Sequence, residues 1–327
     1  MIIYYNIMSD LKILFLGTAG AIPTTKRNLI SSLIIRDGEL FIFDIGEGVQ
    51  QSMMKCKVGM NRKTSIFISH LHGDHILGIL GLIQSMSLLL RDKPLYIYGP
   101  KGLSKFIRSN IKILNLFLNF KFIIREIDSG LIVKENDYKI YAKKGKHSIT
   151  NYSYIFVESD RPGKFNISKV KKLGIPEGTK WSNLQRGKSI QFKGKTINSS
   201  QVLGKPRPGR KIGISGDTRP TKQLTRFFSN CDVLIHESTF SKEDKDLAKD
   251  RFHSTSVDAA IVAKNSNSNL LLMTHFSSRY GDLKLLEKQA RSVHKNTVAA
   301  IDFLSFYLPY PDEKKLTRLH VLEQTNR

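Results

Sequence analysis

Cysteine is almost missing from this sequence: Cys56 and Cys231 are the only two in 327 residues. They are distant and unpatterned. That excludes a disulfide framework and a cysteine zinc knuckle, and it points to buried thiols in a reducing compartment. Long apolar runs are lacking too, and nothing approaches the run of about 18 residues that a membrane helix needs. The stretch Met1–Asp10 is too short, and has no basic start, for a secretory signal. A cytoplasmic protein without a membrane partner is expected, its start at Met1 or Met8. Acidic residues are scarce, 28 Asp and Glu against 52 Lys and Arg, a net charge of +24. Such an excess implies a polyanionic partner, nucleic acid before an anionic membrane surface. No interfacial amphipathic helix carries the basic residues, which argues against the membrane. The G-x-G-x-x-G spacing is missing from Gly17-Thr18-Ala19-Gly20-Ala21, so dinucleotide binding is set aside. No tandem repeat appears.

What is present is an α/β rhythm over a chain that is 40% hydrophobic, enough for a sizeable core. Strands are expected at Lys12–Leu16, Leu29–Arg36 and Leu40–Phe43, the last two turned at Asp37-Gly38. Further strands fall at Thr64–Ser69, Leu95–Tyr98, Phe120–Ile127, Leu131–Val133, Tyr138–Ala142 and Tyr152–Val157. Beyond these come Lys211–Ser215, Val233–Thr239 with a polar end, Leu270–Met273 and a last strand at Val298–Phe303. Helices are expected at Val49–Lys57, Ile76–Leu90, Lys101–Phe117, Val257–Ala263 and Asp282–His294, with Ser254 or Thr255 capping the fourth.

The centre of the pattern is His70-Leu71-His72-Gly73-Asp74-His75, four potential metal ligands in six positions between a strand and a helix. Imidazole and carboxylate together suit a borderline divalent ion such as zinc. His70 and His72 can face one ion; Asp74 and His75, on the turn into the helix, can face a second. Such a pair can share a hydroxide and polarise a phosphoryl or acyl oxygen. Of nine histidines, six (His70, His72, His75, His147, His253, His275) lie where loops leave strands or open helices. That distribution favours ligands over scattered core residues; His236, His294 and His320 are left as structural. Asp44 at a strand end reads as a helix cap or as a carboxylate orienting a ligating imidazole. Asp217, after a strand and Gly216, is ligand-like.

The segment Arg161–Arg210 breaks the rhythm. It holds 13 Lys or Arg and the single acid Glu177, with seven glycines, four prolines and the only tryptophan, Trp181. Little apolar content makes it poor core material, and its charge suits a protruding arm that follows a phosphate backbone. Phe165, Ile167, Val170, Leu173 and Ile175 suggest some order of its own.

These residues resemble the metallo-β-lactamase superfamily and, within it, the tRNA 3′-processing endoribonucleases (tRNase Z, short form). The likeness runs roughly from Leu11 to Pro309. It is carried by Phe43-Asp44-Ile45-Gly46-Glu47-Gly48, the His70–His75 motif, His147, Gly216-Asp217-Thr218-Arg219-Pro220 and Thr274–Tyr280. Three features resemble tRNase Z in particular: His236–Phe240 with His253-Ser254-Thr255, the Pro23–Asn28 loop, and an arm opening Arg161-Pro162-Gly163-Lys164-Phe165. The resemblance implies one domain over residues 1–327, a four-layer αββα sandwich with residues 161–210 inserted as a basic arm. It implies two zinc ions, one on His70, His72 and His147, the other on Asp74, His75 and His275, with Asp217 bridging and Asp44 behind. Catalysis would rest on Asp74 and on a proton relay of Glu237 and His253. The substrate would be precursor tRNA, cut 3′ of the discriminator nucleotide to leave a 3′-hydroxyl on the tRNA and a 5′-phosphate on the trailer. RNA contacts would fall to Lys26, Arg27, Arg161, Lys164, Lys169, Lys171, Lys172, Lys180 and Arg279. A homodimer is implied, with the helix Ile76–Leu90 a candidate for its interface. The alternatives are another binuclear phosphodiesterase of the same fold and a tRNA-binding protein with a vestigial site.

Overall fold

The computed structural model describes residues 10–313 and 319–321; both candidate starts, Met1 and Met8, lie outside that range. The first half runs β1 (Leu11–Gly17), β2 (Ala19–Gly20), β3 (Ser31–Arg36), β4 (Glu39–Phe43), α1 (Val49–Lys55) and β5 (Thr64–Phe67). It continues α2 (Gly73–Ile76), α3 (Gly78–Leu88), β6 (Leu95–Gly99), α4 (Leu103–Ile113) and β7 (Phe122–Glu126). The second half opens with β8 (Gly130–Lys134), β9 (Tyr138–Lys144) and β10 (Tyr152–Glu158). The arm follows, with α5 (Ile167–Lys172), α6 (Thr179–Gln185), β11 (Ile190–Phe192) and β12 (Lys195–Ile197). The chain then returns through β13 (Lys211–Ile214), α7 (Lys222–Phe227), β14 (Val233–Glu237), α8 (Lys245–Asp250), α9 (Ser256–Asn265) and β15 (Leu270–Thr274). It closes with β16 (Phe276–Ser277), α10 (Lys284–Arg291), β17 (Thr297–Ala299), β18 (Leu304–Tyr307) and β19 (Leu319–Val321).

Two large sheets result, ordered β19-β18-β1-β3-β4-β5-β6-β7 and β17-β15-β14-β13-β10-β9-β8, beside the two-stranded pairs β11-β12 and β16-β2. Central strands such as β4, β14 and β15 are apolar at most positions because both faces are covered, as strands between helices and a second sheet require, while the edge strands β7 and β8 are partly exposed. Alternation sorts the side chains. Phe41, Phe43 and Phe67 point into the space between the sheets, against Tyr154 and Phe156. Leu40, Ile42 and Ile66 point outward to Ile79, Leu82 and Ile83 of α3 and Leu103 and Ile107 of α4. In the second sheet Val233, Ile235 and Leu272 face inward, while Leu234, Leu271 and Met273 meet Ala259 and Val262 of α9 and Leu286 of α10. The product is the four-layer αββα sandwich. Among the described residues no helix is long and apolar enough to cross a membrane.

Local chemistry explains several boundaries. Asp37 and Gly38 both sit at positive φ, 48° and 83°, as a two-residue hairpin turn requires. Thr255 caps α9 in a capping box with Asp258. The helix expected at Ile76–Leu90 begins at Gly73 and breaks at Leu77, because the Gly78 N–H donates to Ile45 O at 3.1 Å instead of along the helix. Only glycine fits there: a Cβ on Gly78 would lie 2.0 Å from Gly46 O.

The last strand expected at Val298–Phe303 is a correction. The chain leaves the second sheet after Ala299, turns through Phe303 at φ 67°, and enters the first sheet as β18 beside β1. An apolar run continues across two sheets, so periodicity alone joins them.

The arm also differs from expectation. It encloses a small core of Val170, Ile175, Trp181, Leu184, Ile190 and Val202, and Trp181 Nε1–H donates to Ile175 O at 2.9 Å. Ile167 and Leu173 stay out of it, 52% and 42% exposed.

Candidate metal centre

The strands of both sheets end at one edge, and the chemistry-bearing side chains sit just past those ends. His70 and His72 leave β5, and Asp74 and His75 stand on α2. Asp44 follows β4, His147 lies in the β9–β10 turn, Asp217 follows β13 and His275 follows β15. Crevices outside the carboxyl ends of parallel strands are where α/β sheets place ligands. Two of these residues, Asp44 and His275, hold left-handed backbones at φ 58° and 59°, strain of the kind that clusters at functional sites. Gly20 makes room for His275: a Cβ there would sit 2.3 Å from its Cε1.

Two main donor groups form. His70, His72, His147 and Asp217 make one; Asp74, His75 and His275 make the other; Asp217, His253 and His275 form a third that overlaps both. Within the first, His70 Nε2 is 2.9 Å from His72 Nδ1 and His147 Nε2 is 3.3 Å from the same atom. Asp217 Oδ2 lies 3.6 Å from His70 Nε2 and 3.3 Å from His75 Nε2, and Oδ1 lies 3.3 Å from His275 Nε2. Asp217 therefore touches both groups. Asp74 Oδ2 is 3.4 Å from both His75 Nε2 and His275 Nε2.

The partners behind the rings set which nitrogen is free. His75 Nδ1–H donates to Asp44 Oδ2 at 2.8 Å. His70 Nδ1–H donates to Ser69 Oγ at 2.9 Å, and that hydroxyl donates on to Asp44 Oδ2 at 2.8 Å. His147 Nδ1–H donates to Phe252 O at 3.2 Å, and His275 Nδ1–H to Thr239 Oγ1 at 2.9 Å. Each Nε2 lone pair then points into the cluster. Lone pairs and carboxylate oxygens so close repel unless a proton or cation lies among them. Bonds of about 2.0–2.1 Å from nitrogen to a tetrahedral zinc imply donor spacings of about 3.4 Å, close to those found. The donor set fits two divalent ions.

Burial pushes the His70 imidazole well below its ordinary range. Burial would raise the Asp217 carboxyl, but His275, His75 and His253 outweigh it and hold it well below the usual carboxylate range. His253 stands beside the cluster, its Nδ1 3.4 Å from Glu237 Oε1 and 3.8 Å from Asp217 Oδ2. Burial opposes charge on His253, but Glu237 and Asp217 push it up to about 9. Glu237 is fixed by the N–H groups of Thr218 (3.1 Å), Ser254 (2.7 Å) and Thr239 (3.0 Å).

The basic residues divide. Lys26, Lys164, Lys169, Lys171, Lys172 and Lys180 are exposed. Arg279 is exposed, over Phe240 and 3.4 Å from Asp244. Arg27 is only 7% exposed, its guanidinium donating to Ser277 O and Tyr280 O. Arg161 is held by Asp312 at the root of the arm. Expected to meet RNA, Arg27 and Arg161 are instead occupied within the fold. The residues that sequence reasoning missed are Thr239, inside the His236–Phe240 motif, Ser69, at the end of the strand before His70, and Asn151, whose side-chain amide lies 3.1 Å from His70 Nδ1. A lone Asn in a turn carries no signal of that kind.

Sandwich and paired donor cluster together define a protein of the metallo-β-lactamase fold. The metallo-β-lactamase fold protein YhfI of Bacillus subtilis superposes with a TM-score of 0.65 at 19% identity, covering 91% of this chain and 99% of that one. A family profile described as Anti-Pycsar protein Apyc1 matches residues 11–113, ending before His147, Asp217 and His275. The Ribonuclease Z of Nitrosopumilus maritimus is 47% identical over 294 residues, 90% of this chain and 98% of that protein. Human tRNase Z, short form, superposes with a TM-score of 0.68 at 27% identity, covering 92% of this chain and 99% of that one. The chain belongs to the ribonuclease Z family.

Proposed function

We propose that this chain is a metal-dependent endoribonuclease that removes the 3′ trailer from precursor tRNA. It cuts 3′ of the discriminator nucleotide, leaving a 3′-hydroxyl on the tRNA and a 5′-phosphate on the trailer. The observation that carries this reading is the double donor cluster sharing Asp217, in a chain whose relative at 47% identity is a ribonuclease Z. His70, His72 and His147 would hold one zinc ion and Asp74, His75 and His275 the second, with Asp217 within reach of both groups. When bound, two such ions supply Lewis-acid polarisation of the phosphoryl group and an activated water. The chain's own work is proton transfer and positioning. His253, backed by Glu237, donates to the departing 3′-oxygen, and a positioned general acid of this kind contributes about 10²- to 10⁴-fold. Asp44 keeps His75 and, through Ser69, His70 turned toward the ions. The exposed lysines of the arm and Lys26 contact phosphates.

The protein works in the cytoplasm as a homodimer. Exposed apolar side chains at the ends of α3 and α4, Leu88 and Ile113 among them, support that assembly. The face of α3 offered as the interface is in part core, since Ile79, Leu82 and Ile83 are buried. The test is incubation of the zinc-loaded chain with a 3′-extended precursor tRNA, with both product ends mapped. A single chelator-sensitive cut beside the discriminator is expected. An uncut precursor alongside hydrolysed bis(p-nitrophenyl) phosphate would transfer the site to a small-ester phosphodiesterase; binding without either reaction would mark a vestigial site.

A further inference from the structure

The arm leaves the sandwich at Glu158 and returns at Arg210, and its neck is tightly built. Arg161 and Arg207 exchange backbone hydrogen bonds of 2.7 and 2.9 Å, and Glu158 N–H donates to Arg210 O at 2.9 Å. A Cβ on Gly163 would lie 2.0 Å from Gly204 O, so the two strands of the neck close on each other without a side chain between them. Because the arm has its own core, separate from those of the sandwich, whatever grips the neck sets the direction in which the arm points.

That grip comes from the segment after β18. The Tyr310 ring, buried, lies between two guanidinium groups, Arg161 at 3.3 Å and Arg210 at 4.0 Å from its centroid. Asp312 pairs with Arg161 and, at 3.6 Å, with Arg207; Glu313 reaches Arg161 at 3.8 Å. Arg210 also donates to Leu308 O at 2.9 Å and holds Glu158 through Nε and Nη2 at 2.7 and 2.8 Å. Glu158 in turn accepts from Arg36 of β3 at 2.7 Å. Of the thirteen basic side chains in the segment, three (Arg161, Arg207, Arg210) are thus engaged in the neck, which leaves ten farther out.

We infer that Leu308–Glu313 is a clasp that fixes the bearing of the arm, and that Tyr310 is a positioning residue for cleavage of arm-bound RNA. The inference rests on the proposed reaction only for its kinetic consequence. Charge on the arm attracts RNA at any angle, but productive binding needs those ten cations and the metal centre to meet one substrate together. Removing the ring takes away the face on which both guanidinium groups stack, leaves only their polar partners to hold them, and lets the neck swing. The metal centre lies at the opposite ends of β10 and β13, where His147 precedes the one and Asp217 follows the other, and stays as it is.

The test uses the full-length chain, with Tyr310→Ala and Tyr310→Phe compared. Tyr310→Ala is expected to raise KM for precursor tRNA about tenfold, a small part of what two desolvated cation–π contacts contribute to holding the neck. Hydrolysis of bis(p-nitrophenyl) phosphate should stay within about twofold, too small a change for a lost functional contact. Tyr310→Phe keeps the ring and should keep the KM. Amide hydrogen exchange at Arg161 and Arg207 should speed up in Tyr310→Ala only. An unchanged KM in Tyr310→Ala overturns the proposal, and so does parallel loss of both activities, which would make the segment a general staple. If the unmodified chain leaves precursor tRNA uncut, the functional reading fails by itself; the exchange measurement, which needs no substrate, then upholds or overturns the clasp.

Discussion

Asp44 and His75, 31 residues apart, are joined by a 2.8 Å hydrogen bond from the ring Nδ1–H to carboxylate Oδ2. The other carboxylate oxygen accepts the Ser69 N–H at 2.7 Å. One side chain thus ties the end of β4 to the loop that carries His70 and His72. Asp44→Asn keeps the volume and loses the charge that orients the ring. Zinc affinity should fall about 10- to 100-fold, read by competition with a chromophoric chelator. Unchanged affinity would remove Asp44 from the support of the metal centre.

His253→Ala should keep both metal ions and lose rate on precursor tRNA by about 10²- to 10⁴-fold. A diester with a p-nitrophenolate leaving group needs little protonation and should lose far less. Metal content and the two rates, measured on one preparation, separate the cases. A variant short of one ion would make His253 a ligand.

Removal of the arm must respect its core. Joining Gly163 directly to Gly204 deletes Lys164–Leu203 as a unit and leaves the hydrogen-bonded Arg161–Arg207 pair in place. Precursor tRNA should bind more weakly and with a flatter dependence on salt, because fewer counterions are displaced. Small-diester hydrolysis should persist. Loss of that activity as well would show that the sandwich depends on the arm.

Glu158 gives a pH dependence. Burial pushes its carboxyl up, but Arg210 and Arg36 outweigh burial and hold it below its ordinary value. A carboxyl lowered by folding adds stability above its unfolded pKa, and that stability is lost as pH falls through the folded value. Glu158→Gln should cost about 3–5 kcal/mol at pH 7, since it removes the buried charge that Arg210 and Arg36 share. The gap in urea midpoint between the two proteins should start to narrow below about pH 5, as the carboxylate of the unfolded chain begins to protonate. A gap that is constant down to pH 3 would exclude Glu158 as the titrating group.

Much of this was legible in the sequence, for physical reasons. Phe41-Ile42-Phe43 and Val233-Leu234-Ile235 read as strands because both their faces are buried. The histidines after β5, β9 and β15 stood out because imidazole at strand ends is uncommon core material. Charge was less informative, since composition tells how many guanidinium groups exist and not where they turn. Arg27 closes a loop and Arg161 sits on Tyr310, while lysines of the same formal charge stay in solvent. Trp181 looked out of place in a basic segment until the arm proved to have a core. Phe303 hid a change of sheet, because one left-handed residue leaves no mark on an apolar run. Thr239 links His275, His253 and Glu237 through a single hydroxyl, a role that no spacing rule assigns.

The most direct test of the account is Asp217→Ala, assayed for precursor-tRNA cleavage and binding side by side with the unaltered chain. Asp217 is the residue that touches both donor groups, so its loss should abolish cleavage. Binding, carried by the arm, should remain within about threefold, less than the tenfold that one strong contact is worth. Cleavage at the unaltered rate in that variant would contradict the paired metal centre on which the rest depends.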